Sequence, residues 1–302
     1  MYKNLNCDLL SITGRQSEII ELALTYGFQG IDIDMVDLVK RCGRTSFESA
    51  SRFLLSSKLT AASFTAPIDL DASDEAYATS LAQLNGVAEI AHRAGAMTAT
   101  VQVPAATDRL PYPEYFDVIR KRIDEIAAVL GKEEIRLALS FSPQDASAEE
   151  KQFKFVGDAE GFVALVRAIT TPNVGVVFDS WTWHLGGGTL ESLQSMGLER
   201  VAVVALADCK EGVEAAAATI DDCLLPGSTN VINNEQYLRA FAEAEMALPV
   251  AARGMPIDGK AIRDAMISKA QDALNLCFEQ AGLPAEARKP ENFATNSSSY
   301  TE

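Results

Sequence analysis

Residues 174–188 read Val-Gly-Val-Val-Phe-Asp-Ser-Trp-Thr-Trp-His-Leu-Gly-Gly-Gly. The segment begins with a short apolar run that is rich in valine and ends at Asp179. A continuous apolar run of this length is typical of a parallel strand that is buried on both faces. We therefore predict a buried strand with Asp179 at its carboxyl end, followed at once by aromatic residues, a histidine and a glycine run.

The same pattern, an apolar run followed by a longer amphipathic segment, recurs along the chain. Eight apolar runs are predicted as strands: 5–10, 30–34, 59–65, 97–103, 135–141, 174–179, 201–208 and 248–253. Helical patterns lie between and after them: 17–26, 46–57, 74–94, 113–130, 158–169, 189–195, 234–244 and 260–281. Strands that alternate with helices pair in parallel through right-handed crossovers. Eight such units close most naturally into an α/β fold with a single (β/α)8 TIM barrel.

The barrel is predicted to occupy residues 1–283, and residues 284–302 are expected to form a loosely ordered tail. The stretch 142–157 would be a surface loop over the barrel mouth. The alternative architecture is an open doubly wound sheet. Its dinucleotide-binding form has no support, because no Gly-x-Gly-x-x-Gly motif follows the first strand.

The composition narrows the range of partners. The formal net charge of -16 argues against binding nucleic acid or an anionic membrane surface. The five cysteines include no Cys-x-x-Cys pair, so neither a disulfide framework nor a structural zinc site is expected. The sequence shows no apolar signal segment and no apolar run long enough to span a membrane. We expect a cytoplasmic protein with a small-molecule partner, for which a homo-oligomer is an option.

In a barrel of this kind the active site lies at the carboxyl ends of the strands. The residues near these ends that are predicted to be catalytic are Asp179, His184, Asp208 and Arg253. Those predicted to contact a substrate are Gln102, Gln144, Trp181, Trp183 and Lys210. Aromatic faces beside a carboxylate suit the CH faces of a sugar ring, which points to a carbohydrate or a sugar acid.

Most of these residues also have a structural interpretation. Asp179 is also a candidate helix cap, and the two tryptophans are also candidates for packing. His184 is about as well explained as an ordinary satisfied polar residue. For Arg253, an ion pair with Asp179 or Asp208 is about as good an explanation as a substrate contact.

Several segments, taken in order, resemble the xylose isomerase-like sugar phosphate isomerase/epimerase family. An apolar run that ends in aspartate at strand six is matched at Asp179, and Leu-Ala-Asp at strand seven is matched at 206–208. Leu-Pro-Gly before a helix is matched at 225–227, and Pro-Val at strand eight at 249–250. The opening segment 18–32 also fits, so the resemblance covers nearly the whole chain to about residue 280.

The resemblance implies a divalent metal, usually Mn, Mg or Zn. The family holds it with a glutamate on strand five, an aspartate on strand six, a histidine on strand seven and a glutamate on strand eight. Here these positions fall on Ser140, Asp179, Ala205 and Arg253. A guanidinium ~4 Å from a divalent ion would cost roughly 8 kcal/mol at an effective dielectric constant near 20. We therefore expect neither a metal nor another cofactor.

The resemblance implies an isomerase or epimerase that moves a proton next to the carbonyl group of a sugar or sugar phosphate. Without a metal, Arg253 or Lys210 would stabilise an enediolate oxygen. Asp179 or Asp208 would be the base, and His184 the acid. Two alternatives stay open: a catalytically silent barrel that binds a sugar, a sugar acid or a partner protein, and a lyase or dehydratase on the same fold.

Overall fold

The computed structural model describes residues 1–144, 148–255 and 262–285. Its strands, in chain order, are β1 Tyr2–Leu5, β2 Gly30–Ile31, β3 Thr60–Ala61, β4 Phe64–Thr65, β5 Thr98–Gln102, β6 Ala106–Thr107, β7 Arg136–Ser140, β8 Phe153–Lys154, β9 Val174–Asp179, β10 Val201–Leu206, β11 Asp208–Cys209, β12 Cys223–Leu224 and β13 Pro249–Ala252. Nine of them form one sheet in the order β3-β2-β1-β13-β10-β9-β7-β5-β4. The two ends of this order, β3 and β4, belong to one continuous segment, so the sheet closes on itself.

The closed sheet is the predicted barrel. All eight pairings between neighbouring strands in this order are parallel. The third predicted strand, 59–65, is present as two short halves that pair with opposite neighbours, β2 and β5. The predicted (β/α)8 fold is thus confirmed, and each of the eight predicted strands overlaps a strand of the sheet.

The helices that surround the barrel are α1 Gln16–Thr25, α2 Met35–Arg44, α3 Phe47–Ser57, α4 Asp74–Ala94, α5 Tyr112–Gly131, α6 Ala159–Ala168, α7 Ser180–Leu185, α8 Leu190–Met196, α9 Asn234–Glu243 and α10 Arg263–Gln280. Local chemistry explains several boundaries. The side chain of Asp158 accepts a hydrogen bond from the Gly161 N–H at 2.7 Å and so caps α6. Gly95 ends α4 with φ 77°, a left-handed conformation that favours glycine. Over the part of the chain that is described, none of the helices has the length and apolar content needed to cross a bilayer.

Some predicted boundaries were wrong. The first strand is Tyr2–Leu5, and the residues Asp8–Leu10, predicted to continue it, form a 3-10 turn instead. The second strand stops at Ile31, because Asp34 caps the unpredicted helix α2 by accepting from the Asp37 N–H at 2.9 Å. The stretch 142–157 is not wholly irregular, since its β8 pairs antiparallel with β6. Residues 145–147 of that stretch and 286–302 of the predicted tail lie outside the described residues.

The core lies mainly between the barrel strands and the helices. Outward-facing residues such as Leu137, Leu139 and Val176 are fully buried there. Inside the barrel the side chains are smaller, as the cluster of Ala138, Ala202, Val203 and Val177 shows. At the amino-terminal end the Arg136 guanidinium donates to the backbone carbonyls of residues 199 to 201. Arg136 thus packs against the amino-terminal end of the barrel, and in this fold ligand sites lie at the carboxyl ends of the strands.

Candidate functional site

The strand register places Asp179 and Arg253 on the inside of the barrel. Asp179 of β9 lies opposite Ala205 of β10, which in turn lies opposite Ala251 of β13. Alternate residues of a strand face the same side. Arg253, two residues after Ala251, therefore continues the inward row at the carboxyl end of the last strand.

The Asp179 carboxylate and the Arg253 guanidinium form an ion pair in the mouth. Arg253 Nη2 is 2.9 Å from Asp179 Oδ2, and the Arg253 side chain is 23% exposed. The other oxygen, Oδ1, accepts from the Trp181 N–H at 3.0 Å. Burial raises the pKa of Asp179, and Arg253 opposes that rise. The pair is one of the two ionic partnerships that the sequence left open, and Asp179 also caps the short helix α7.

Asp208 is placed differently from Asp179, although both follow buried strands. It is fully buried, and its Oδ1 accepts from the N–H groups of Cys209 and Ile232 at 2.9 and 3.0 Å. Its Oδ2 accepts from the N–H groups of Thr229 and Asn230 at 2.8 and 2.6 Å. Four backbone donors thus satisfy this carboxylate, which holds the loop that leads to α9.

Lys210 does not join Asp179 and Arg253. Its Nζ lies 3.1 Å from Asp222 Oδ1, in an ion pair in which the lysine side chain is 48% exposed. Lys210 and the backbone carbonyl of Asp222 also extend the antiparallel pairing of β11 and β12. This lysine belongs to the β11–β12 arm and not to the row of inward-facing strand ends.

Both tryptophans are buried in the interior of the protein. Trp181 packs in a small apolar cluster with Cys209, Cys223 and Ile232. Trp183 packs edge-on against two phenylalanines, and its Nε1 donates to the Thr189 carbonyl at 3.0 Å. The structure thus gives both rings a packing environment.

The glycine run after Trp183 serves this packing. A Cβ atom at Gly188 would come within 2.4 Å of the Trp183 ring. Glycine at this position therefore lets the chain pass directly over the indole.

The remaining predicted residues lie around the mouth without meeting the ion pair. His184 is half-buried, its pKa is lowered by burial, and its Nε2 is buried without a hydrogen-bond partner among the described residues. Gln102 is exposed at the end of β5 and lies opposite Ser140 of β7. Gln144 donates to the Ala218 carbonyl, which links two loops of the mouth.

Sequence reasoning missed one inward-facing acid, Asp32. Asn4 of β1 lies opposite Gly30, and the backbone N–H of Asp32 donates to the Leu5 carbonyl, which extends this parallel pairing. A Cβ atom at Gly30 would come within 2.9 Å of Asn4 Oδ1, so these side chains share the inner face. Leu5 and Ile31, on the opposite alternation, lie in the outer core. Asp32 therefore points into the barrel.

Asp32 is held by polar side chains of its neighbouring strands. Its Oδ1 accepts from Asn4 Nδ2 at 2.9 Å, its Oδ2 accepts from Asn6 Nδ2, and the Ser63 hydroxyl gives a further hydrogen bond. Burial raises the pKa of Asp32 to about 6. The alternation of Gly30, Asp32 and Asp34 in the sequence was the available signal, but it pointed equally to Asp34, which is a helix cap.

The four positions at which the family resemblance implies metal ligands offer few donor atoms to a divalent ion. They supply one hydroxyl from Ser140, one carboxylate from Asp179, a methyl group from Ala205 and a guanidinium from Arg253. Hard cations need several oxygen ligands, and zinc needs several nitrogen, sulfur or oxygen ligands. Within the described residues, no group of three or more His, Cys, Asp or Glu side chains is arranged to hold a metal. This donor set does not fit a divalent metal ion.

Comparison with known proteins identifies relatives by family and by fold. A family model described as a xylose isomerase-like TIM barrel matches residues 20–265. No curated protein matches the chain.

Solved structures share the fold at low sequence identity. A xylose isomerase domain protein from Alicyclobacillus acidocaldarius has a TM-score of 0.81 and 23% identity, covering 93% of this chain and 99% of that one. The IolI protein, whose structure binds a zinc atom, has a TM-score of 0.76 and 16% identity, covering 93% and 98%. A D-tagatose 3-epimerase-like protein has a TM-score of 0.63 and 16% identity, also covering 93% and 98%. At these identities the likeness shows the fold alone.

Proposed function

This chain belongs to the xylose isomerase-like TIM barrel family, and we propose that it is an isomerase or epimerase that works by proton transfer without a metal. Its substrate would be a small keto-sugar, polyol or sugar acid, free or phosphorylated. The observation that carries the proposal is the ion pair between Arg253 and Asp179 at the strand ends, where the family resemblance implies a metal.

Arg253 is the group that would take over the electrostatic role of the metal. Removing a proton next to a carbonyl group places negative charge on the carbonyl oxygen, and a fixed cation in a water-poor site stabilises that charge. Arg253 is only partly exposed, and its Nε is buried without a partner among the described residues. The exposed part of its side chain can therefore offer an N–H to a substrate oxygen while Nη2 stays with Asp179.

Asp179 would hold the guanidinium in position. Burying an arginine without a counter-ion would lower the stability of the fold. Asp179, on a strand two places away in the sheet, supplies the negative charge. The small Ala205 side chain on β10, between them, leaves room for the contact.

Solvent deuterium exchange tests the proposed reaction. The protein, treated with a chelator, is incubated in D2O with a panel of ketoses, aldoses, sugar acids and their phosphates, and exchange next to the carbonyl is followed by NMR. We expect exchange with at least one compound, unchanged by added manganese and lost in Arg253→Met. Absence of exchange with every compound, with and without manganese, would sink the proposal.

The second candidate is a catalytically silent barrel that binds a sugar acid. It is favoured by the same guanidinium, because arginine pairs well with carboxylate and phosphate groups. A compound that raises the melting temperature of the parent protein but never exchanges would support this binding function.

A further inference from the structure

The three buried or half-buried acids near the mouth differ in how much of each carboxylate is free. A carboxylate has about four lone-pair positions for hydrogen bonds. At Asp208 backbone N–H groups fill all of them. At Asp179 one oxygen faces Arg253 and the carboxylate also accepts from the N–H groups of Trp181 and Thr182, so it is committed to the ion pair and to the cap of α7. Asp32 accepts from two amides and one hydroxyl, which leaves it an acceptor position.

We propose that Asp32 is a catalytic residue of this barrel, the group that takes the proton from the substrate and returns it. This inference rests on the proposed function. The Asp32 carboxylate removes the hydrogen from the carbon next to the carbonyl, and the C–H electron pair forms the enediolate double bond. The carbonyl electrons move to the oxygen that faces Arg253.

The return of the proton completes the reaction. Asp32 returns it to the former carbonyl carbon, and the hydroxyl proton of the adjacent carbon moves to the former carbonyl oxygen. The product is the isomer in which the carbonyl group is shifted by one carbon, and Asp32 is again ionised. A single base on one face of the substrate suits this transfer between adjacent carbons, so the substrate class is an aldose–ketose pair.

The position of Asp32 relative to Arg253 fits a small substrate. β2 and β13 flank β1 on its two sides, so Asp32 and Arg253 follow strands that lie about 10 Å apart at the usual strand spacing. Both side chains extend inward from the two strand ends. A molecule with a few carbon atoms can therefore contact both of them.

The surroundings of Asp32 suit both of its protonation states. Asn4 Nδ2 donates to the ionised carboxylate at 2.9 Å, while Asn4 Oδ1 is buried and has no hydrogen-bond partner among the described residues. If the Asn4 amide rotates by half a turn, Oδ1 can accept the proton that Asp32 gains. The hydrogen bond between Asn4 and Asp32 can thus form in both protonation states of the carboxyl group.

The titration of Asp32 also fits the role. Burial raises its pKa to about 6, and Asp8 adds to the rise. The groups beside it, Tyr2 and Cys7, have pKa values raised by burial to about 12 and stay neutral near pH 7. A base is most effective when its pKa lies near the working pH.

The experiment compares exchange rates of the parent, Asp32→Asn and the matched control Asp34→Asn. Asp34 loses the same charge two residues away, but it is exposed and caps α2. We expect Asp32→Asn to lose at least about 100-fold in exchange rate while it binds the same sugar as the parent, measured by calorimetry. Asp34→Asn should keep the parental rate.

A second variant keeps the test decisive if Asp32→Asn does not fold. Asn6→Ala removes one donor to the carboxylate, which raises the pKa of Asp32, so the rising limb of the pH–rate profile should move to higher pH. A profile that does not move, or an Asp32→Asn variant that exchanges at the parental rate, overturns the role of Asp32 but leaves the proposed function standing. No exchange in the parent overturns both.

Discussion

Arg253 and Asp179 meet across the barrel mouth because the strand between them carries alanine at the facing position. Arg253 Nη2 lies 2.9 Å from Asp179 Oδ2, and Ala205 of β10 is level with Asp179. A histidine at position 205, which the family resemblance implies, would occupy this space. Alanine at position 205 therefore leaves the space in which the arginine after strand eight reaches Asp179.

The first prediction concerns the energy of this pair. Arg253→Met leaves a buried carboxylate without its counter-ion and should lower the free energy of unfolding by about 3–5 kcal/mol at pH 7.5. Loss of Arg253 raises the pKa of Asp179 further. Because a raised folded-state pKa favours the folded form below it and disfavours the folded form above it, the deficit should shrink at pH 4.5. Urea unfolding at the two pH values measures this.

Two controls separate the charge effect from lost packing. The double variant Asp179→Asn/Arg253→Met has no unpaired charge and should recover most of the stability. Arg239→Met breaks an exposed ion pair with Glu235 and should cost no more than about 1 kcal/mol. A double variant as unstable as Arg253→Met alone would contradict this account.

The second prediction concerns metal binding. The parent should bind Mn2+ weakly, because the four family positions supply a single carboxylate. The triple variant Ser140→Glu/Ala205→His/Arg253→Glu restores the implied ligands around Asp179 and should bind Mn2+ at least about 100-fold more tightly, as measured by electron paramagnetic resonance.

The same triple variant with Asp179→Asn added is the matched control, and it should lose most of the gain. Tight binding of Mn2+ by the parent protein would show instead that other acids form a site, and it would refute the metal-free mechanism.

The barrel was predictable from the sequence because each strand is an apolar run with a helical pattern after it. The ends of individual strands and helices were less predictable. Helix α2 was missed because its cap, Asp34, was assigned to the end of a strand. The register, which decides that Asp32 points inward, depends on which residues of neighbouring strands lie opposite each other. No single run contains that information.

The candidate site was predictable only in part, for a similar reason. The sequence placed Asp179 and Arg253 at strand ends but could not decide between Asp179 and Asp208 as the partner of the arginine. The decision follows from the four backbone donors that satisfy Asp208, which come mainly from a loop more than twenty residues away. The tryptophans were ambiguous, because packing in a core and stacking on a sugar call for the same aromatic surface.

The third prediction concerns Asp208 as the anchor of that loop. Asp208→Ala leaves four backbone N–H groups without their acceptor and should lower the free energy of unfolding by about 3 kcal/mol or more. The amides of residues 229–232 should also lose protection in hydrogen exchange.

Asp221→Ala, an exposed acid on the same arm, is the control and should change neither quantity measurably. If Asp208→Ala kept its stability and its loop protection but lost proton exchange with sugars, Asp208 would be a candidate catalytic residue and not only an anchor of the loop.

The last prediction tests Asp32 through stability alone, independently of any substrate. Burial raises the pKa of Asp32 from 3.8 to about 6. Since the folded state then holds the proton more tightly than the unfolded state, ionisation above pH 6 disfavours folding. The penalty is on the order of 1–3 kcal/mol.

Asp32→Asn removes the charge, and rotation of the Asn4 amide can satisfy the new NH2 group. The variant should therefore be more stable than the parent at pH 8, and this advantage should fade as the pH drops below 6. Denaturant unfolding from pH 5 to 8 follows the trend, with Asp34→Asn as the control that should show none of it. If the variant were destabilised equally at pH 5 and pH 8, Asp32 would be an ordinary stabilising carboxylate. Its ionisation would then carry no free-energy penalty for a catalytic role to explain.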